Sequence, residues 1–210
     1  MMAGLFITFE GGEGSGKTTQ IRLLAQALES MGKSVLLTRE PGGSEGAEKI
    51  RPLLVCGNAN WDALTEVLLF SAARRDHLVN KIWPALKEGK IVLCDRFADS
   101  TLAYQGYGRK DDKELQQKLM DLYQMIAGDF RPDLTFILDV EPEIGLKRSC
   151  DRLGNNERRF EDMDIQFHKN LRQAFLKIAK QDAHRCYVIQ TNRSVDDIHQ
   201  DIMEIVKQYV

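Results

Sequence analysis

Leu5-Phe6-Ile7-Thr8-Phe9-Glu10-Gly11-Gly12-Glu13-Gly14-Ser15-Gly16-Lys17-Thr18-Thr19 runs from an apolar stretch straight into a glycine-rich turn. From Gly11 to Thr18 it matches G-x-x-x-x-G-K-[ST] in full. Glycines at 11, 12, 14 and 16 let backbone N–H groups turn inward around phosphate oxygens, and the first turn of a following helix adds its positive end. In such a loop Lys17 reaches the β- and γ-phosphates, and the Thr18 hydroxyl offers an oxygen to Mg²⁺. A glycine-rich turn with an incidental lysine is the plain alternative. The setting between a strand-like run and an amphipathic helix weighs against it.

Outward from this junction, short apolar runs recur at Val35 to Thr38, Ile91 to Cys94, Leu134 to Leu138 and Tyr187 to Gln190. Bounded, nearly continuous apolar runs suit strands buried on both faces of a parallel sheet. The segments between them carry helical spacing. Ile21, Leu24, Leu28 and Met31 precede Gly32 as a stop, while Ile198, Ile202, Ile205 and Tyr209 follow a capping box at Ser194 and Asp197. Alternating strand and helix predicts an α/β fold in which helices cover both faces of a five-stranded parallel sheet. Ligands then bind at the carboxyl ends of the strands. One domain spanning 1–210 is expected, with a polar, arginine-rich insert at 148–160 that reads either as a solvated loop or as a lid.

Of the 210 residues, 43% are hydrophobic and 29% charged, as in an ordinary globular chain, and the formal net charge is −2. No global basic field favours nucleic acid or an anionic membrane surface, so an anionic ligand must be held by local cations. The N-terminus lacks a basic signal-peptide start, and no apolar run approaches the ~20 residues that cross a bilayer, so a cytoplasmic protein is expected. Cys56, Cys94, Cys150 and Cys186 stand far apart and form neither a zinc pattern nor a disulfide framework.

A phosphate loop serves switches, motors and kinases alike. No guanine-reading N-K-x-D is present, and the length suits a small kinase. Three further stretches look like a second, phosphorylated substrate's site. Thr38-Arg39-Glu40-Pro41-Gly42-Gly43 ends the second strand. Leu69-Phe70-Ser71-Ala72-Ala73-Arg74 sets Phe70 and Arg74 one helical turn apart. Asp95-Arg96-Phe97-Ala98-Asp99-Ser100-Thr101-Leu102-Ala103-Tyr104-Gln105 closes the third strand and opens a helix. Singly, each has a plain reading: Arg39 in a surface pair, Phe70 as core, Asp95 and Arg96 as a strand-end ion pair.

Together, T-R-E-P-G-G, L-L-F-S-A-x-R and D-R-F-x-x-S-T-x-A-Y-Q resemble the thymidylate kinases, which phosphorylate dTMP with ATP and Mg²⁺. The resemblance implies that Phe70 stacks on thymine, that Arg74 donates to its O4 edge, and that Ser100, Thr101 and Gln105 line the acceptor site near the base. Tyr104 is then beside the sugar. Arg39 and Arg96 clamp the acceptor phosphate, Glu13 meets the 3′-OH side, Asp95 reaches the metal, and Arg148 stacks on adenine. Some members carry a catalytic arginine just after the acidic residue of the phosphate loop, where this chain has Gly14. That places it with the bacterial-type subgroup, whose arginine comes from the lid; Arg152 is the first choice and Arg158 the second. The family also implies a homodimer, for which Leu64 and Leu68 offer a face.

Such a reaction needs alignment of two anions and neutralisation of charge rather than a general base, because the acceptor phosphate is already ionised. His77, one turn beyond Arg74, is therefore expected to make structural contacts, and Trp61 and Trp83 to be packing anchors. A different monophosphate kinase, or a non-catalytic ATP-dependent switch, are the competing readings.

Overall fold

The computed structural model describes residues 4–56, 60–108, 112–150 and 159–210. Five strands, β1 (Leu5–Glu10), β2 (Val35–Arg39), β3 (Ile91–Asp95), β4 (Leu134–Asp139) and β5 (Cys186–Gln190), form one all-parallel sheet in the order β2-β3-β1-β4-β5. Each apolar run predicted from sequence is a strand. Every end differs by at most one residue: β1 to β4 each continue onto a charged residue (Glu10, Arg39, Asp95, Asp139) and β5 begins one residue earlier. The ladders align those ends: Arg39 pairs with Asp95, and Asp95 with Phe9.

Period-two alternation sends successive β1 side chains to opposite faces. Ile7 and Phe9 join Leu93, Phe136 and Leu138 against α1 (Lys17–Ser30) and α9 (Val195–Val206). Phe6, Val92 and Cys94 face the other way, onto Leu78, Ile82 and Phe97. Ile137 meets Leu171 and Phe175 of α8 (Ile165–Gln181) on that second face. Phe6, Phe9, Phe136 and Phe175 are fully buried, each contributing about 2–3 kcal/mol over an exposed position.

Three residues, Met31, Tyr209 and Arg148, depart from the expected element bounds, and the Ser194 cap agrees with them. Met31 and Tyr209 lie past the ends of α1 and α9, since the chain closes α1 by turning the Met31 and Gly32 N–H groups onto Ala27 and Glu29 carbonyls. Ser194 caps α9 by accepting from the Asp197 N–H at 3.1 Å. Arg148 belongs to α7 (Pro142–Cys150) rather than to a loop, and Lys147 and Arg148 complement the negative end of that helix. The remaining helices are α2 (Glu45–Val55), α3 (Ala63–His77), α4 (Trp83–Lys87), α5 (Ala98–Thr101) and α6 (Lys113–Ala127). A π-helical turn, Leu78–Ile82, joins α3 to α4, and a second, Leu102–Gly108, continues α5. Among the described residues no helix is long and apolar enough to cross a membrane.

Candidate functional site

The carboxyl ends of β1, β2 and β3 open into a cleft of about 890 Å³. Its floor is the phosphate loop. Gly16 adopts a left-handed conformation (φ 94°) immediately before α1, so the helix begins at Lys17 with its amide end toward the loop. Lys17 is buried, and its Nζ donates to the Gly11 and Gly12 carbonyls at 3.1 and 2.8 Å and to Ser15 Oγ at 3.2 Å. Burial, with repulsion from Arg96, lowers the Lys17 ammonium to about 8 despite attraction from Glu13 and Asp95. Next to it the Thr18 hydroxyl donates to Asp95 Oδ2 at 3.0 Å. Two hard oxygen ligands thus meet at the mouth of the loop. Among the described residues no group of three acidic, His or Cys side chains forms an all-protein metal cage. That pair fits Mg²⁺, which is held through one or two protein oxygens, water and substrate phosphates.

Beside the loop stands a cationic centre. Arg96 follows β3 with φ 66°, the only described non-glycine residue of positive φ, and its backbone N–H is held by the Phe9 carbonyl at 2.9 Å. The guanidinium donates to Gly11 O (2.8 Å), Ser100 Oγ (3.1 Å) and Glu13 Oε1 (2.8 Å) and lies over the Tyr104 ring at 5.0 Å. Tyr104 OH donates to the same Glu13 oxygen at 2.7 Å. Burial opposes ionisation of Glu13, but Arg96, Lys17 and the Tyr104 hydroxyl outweigh it and hold the carboxyl at about 2. Beneath this centre Glu10 accepts from the Phe97 N–H (2.8 Å) and Ser100 Oγ (2.5 Å), which pins the turn carrying Arg96. Burial, reinforced by Asp99, pushes the Glu10 carboxyl up to about 7.

The far end of the cleft is walled by Phe70, Arg74, Thr101, Tyr104, Gln105 and Phe160. Phe70 packs with Leu54, Val55 and Phe160, so it is at once a core residue and a cleft wall. Arg74 donates through Nη2 to Thr101 Oγ1 at 2.7 Å. Gln105 sits in the widened turn after α5, where its Nε2 reaches Glu66 at 3.3 Å while its buried Oε1 has no partner among the described residues. Phe160 meets the Tyr104 ring edge-on at 5.2 Å. Arg159 turns inward to pair with buried Glu66 and donates to the Leu54 carbonyl at 2.9 Å.

At the opposite end lie Thr19, Arg148, Thr191, Arg193 and Val195, with Arg148 directed at the Thr191 carbonyl at 3.4 Å. Arg39 lines the cleft but is half exposed and pairs with Glu48 at 3.2 Å. The plain alternative, a strand-end ion pair of Asp95 with Arg96, gives way to two separate partners: Asp95 accepts from Thr18 and Arg96 pairs with Glu13. Arg152 and Arg158 lie outside the described residues.

A family model described as thymidylate kinase matches residues 9–202. The chain belongs to the thymidylate kinase family. It is 51% identical over 204 residues to the thymidylate kinase of Ruegeria pomeroyi, covering 97% of this chain and 94% of the relative. It is also 48% identical over 209 residues to that of Caulobacter vibrioides, covering 99% and 98%. The solved structure of thymidylate kinase from Ehrlichia chaffeensis superposes with a TM-score of 0.79 at 39% identity, covering 98% of this chain and 99% of that one.

Within this thymidylate kinase fold, one cleft residue, Phe160, and two buried residues behind the cleft, Glu66 and Glu10, were not marked by sequence reasoning. Glu66 sits one turn before Phe70, and Phe160 closes the arginine-rich stretch. Glu10 ends the first apolar run and looked like a boundary. An acidic residue closing a buried strand is the signal that could have found it, because an unpartnered carboxylate there is costly. Trp83 packs on Phe130 and Arg75, as expected of a packing anchor, and Trp61 donates its indole N–H to the Leu53 carbonyl.

Proposed function

We propose that the chain transfers the γ-phosphoryl group of ATP to dTMP, giving dTDP and ADP. The single observation that carries this is the alignment, along one cleft, of a phosphate loop, the Arg96–Glu13 centre and a base-sized pocket. That pocket pairs a fixed donor, Arg74, with an unpartnered buried acceptor, Gln105 Oε1. A thymine ring presents the complement: a carbonyl at C4 and an N–H at N3. Phe70 supplies the stacking face.

In this reading ATP lies over Gly11 to Thr19 with its adenine toward Arg148, and Lys17 exchanges loop carbonyls for phosphate oxygens. Thr18 and Asp95 are the residues that would hold Mg²⁺, which would supply charge neutralisation on the donor phosphates. Arg96, with Arg39 at the rim, grips the dTMP phosphate so that one of its oxygens faces the γ-phosphorus in line. Glu13 and Tyr104 meet the sugar, and the tight Glu13–Tyr104 contact leaves little room for a 2′-OH. The arginines of 148–160, Arg152 before Arg158, are the candidates for stabilising the transferred group, because Gly14 brings no side chain to it. We further assign the protein to the cytoplasm as a homodimer. The exposed Leu64 and Leu68 on α3 support the dimer face.

The test is ADP release with ATP, Mg²⁺ and each deoxynucleoside monophosphate in turn. Strong preference for dTMP is expected; a preference for AMP or CMP, or ATP consumption that ignores the acceptor, overturns the reading. The pH profile gives an independent check. Lys17 must be protonated to attract phosphate, and in the free enzyme it loses its proton near 8. Bound triphosphate favours the charged form, so kcat/KM for ATP should fall about tenfold per pH unit above that point while kcat at saturation persists to higher pH. A flat kcat/KM profile through pH 9 contradicts the assignment.

A further inference from the structure

Thr38, Glu40 and His77 touch neither nucleotide in the reading above, yet they close into a single buried chain of hydrogen bonds that ends on Arg74. Glu40 follows β2 and extends its ladder, with its N–H on the Asp95 carbonyl at 3.0 Å. Arg39 points to the cleft rim, and Glu40, on the opposite strand face, is only 6% exposed and borders the cleft from behind Arg74. There Glu40 Oε2 accepts from Arg74 Nε at 2.8 Å and Oε1 from His77 Nδ1 at 3.0 Å. A neutral imidazole satisfies both of its contacts: Nδ1–H donates to Glu40, and Nε2 accepts from Thr38 Oγ1–H at 2.6 Å. His77 has no solvent exposure.

The chain leaves Arg74 little freedom. Glu40 holds its Nε, Thr101 its Nη2, and the Phe97 ring lies 5.2 Å from the guanidinium carbon. Arg74 nonetheless lines the cleft. The donors not spent on those partners are the ones a cleft ligand meets, in an orientation set by the carboxylate behind. Gly43 fits the same arrangement. A Cβ there would stand 2.8 Å from His77 Cδ2 and closer still to His77 Nε2 and Thr38 Oγ1, at a φ of 88°. The stretch Thr38 to Gly43 therefore serves the base end of the cleft as well as the phosphate end.

We infer that Glu40 and His77 are positioning residues for reading the acceptor base: by fixing the Arg74 guanidinium they set the preference for a 4-oxo over a 4-amino pyrimidine. This rests on Arg74 being the O4 donor, as proposed above. A donor fork discriminates only if it is held still; a guanidinium free to rotate accommodates an amino group by turning aside.

The experiment compares kcat/KM for dTMP and 5-methyl-dCMP, which differ at C4, carbonyl against amino, and at N3, where only thymine carries an N–H, in Glu40→Gln, His77→Ala, His77→Asn and Arg74→Lys variants. KM for ATP and the melting temperature are recorded alongside. In Glu40→Gln and His77→Ala the dTMP preference should drop at least about tenfold, with KM for dTMP raised and with kcat and KM for ATP within about threefold of wild type. His77→Asn, whose amide reaches the Nδ1 position, should recover most of the preference; a purely structural role predicts no such recovery at equal stability. Should Glu40→Gln fail to fold, His77→Ala carries the test, because it leaves the Glu40–Arg74 pair in place. Unchanged preference in both variants, with preference lost in Arg74→Lys, overturns the inference and leaves the function standing. Unchanged preference in Arg74→Lys removes Arg74 from base reading and the inference with it.

Discussion

Replacing Arg96 by alanine or glycine is expected to lower kcat/KM for dTMP by about 10³-fold while ATP affinity changes only a few-fold. Among the described residues the guanidinium joins loop carbonyl, Ser100 and Glu13, so its removal would take away the proposed acceptor clamp and the partner of a buried carboxylate together. Without it the Glu13 pKa should rise from about 2, since burial then acts against fewer opposing charges. The two substitutions also separate chemistry from backbone. Arg96 stands at φ 66°, where a side chain costs roughly 1 kcal/mol that glycine does not incur. Arg96→Gly should therefore be about 1 kcal/mol more stable than Arg96→Ala in urea unfolding, with the same kinetic defect. Equal stability denies the strain, and a kinetic defect under tenfold denies the clamp.

Positive φ at an arginine has no sequence signature, and it marks the general limit of what could be read in advance. The apolar content of β1 to β5 and the amphipathic helices follow from residue type and spacing, so the sheet was legible nearly to the residue. The strand ends were not, because hydrophobic runs stop where charge begins. In this fold the charges that terminate the runs, Glu10, Arg39 and Asp95, continue the strands; Arg39 and Asp95 line the cleft and Glu10 lies buried beneath it. The phosphate loop was legible because its geometry demands glycine at fixed places. The base pocket was legible only by family resemblance, since Phe70 reads equally as core, and it is core. Buried partners of charged residues stayed hidden. Glu66 under Arg159 and Glu40 behind Arg74 are joined to them across 93 and 34 residues, distances over which no periodicity speaks.

Gly14 is the position that some thymidylate kinases fill with arginine, and substituting it here should abolish activity rather than convert one subgroup's design into the other's. Gly14 has φ 62°, and a Cβ on it would lie 2.7 Å from the carbonyl carbon of Gly145 and 3.0 Å from its Cα, with the carbonyl oxygen nearer still. Both partners are backbone. Gly145 is anchored in α7 by its N–H bond to the Glu141 carbonyl at 2.9 Å, and its own Cβ position falls against the Glu13 carbonyl. Loop and helix thus cross with no side chain between them, and even a methyl group forces one to move. Gly14→Ala should lose roughly 3 kcal/mol of stability, the upper range of overpacking, and at least about 10²-fold in kcat as the N–H groups around Lys17 leave register. Gly14→Arg should fare no better, and paired with Arg152→Ala it should restore nothing, because the guanidinium arrives on a displaced loop. Wild-type melting temperature and turnover in Gly14→Arg would mean that α7 yields easily. In that case the bare loop would reflect the reach of a lid arginine and not a steric demand.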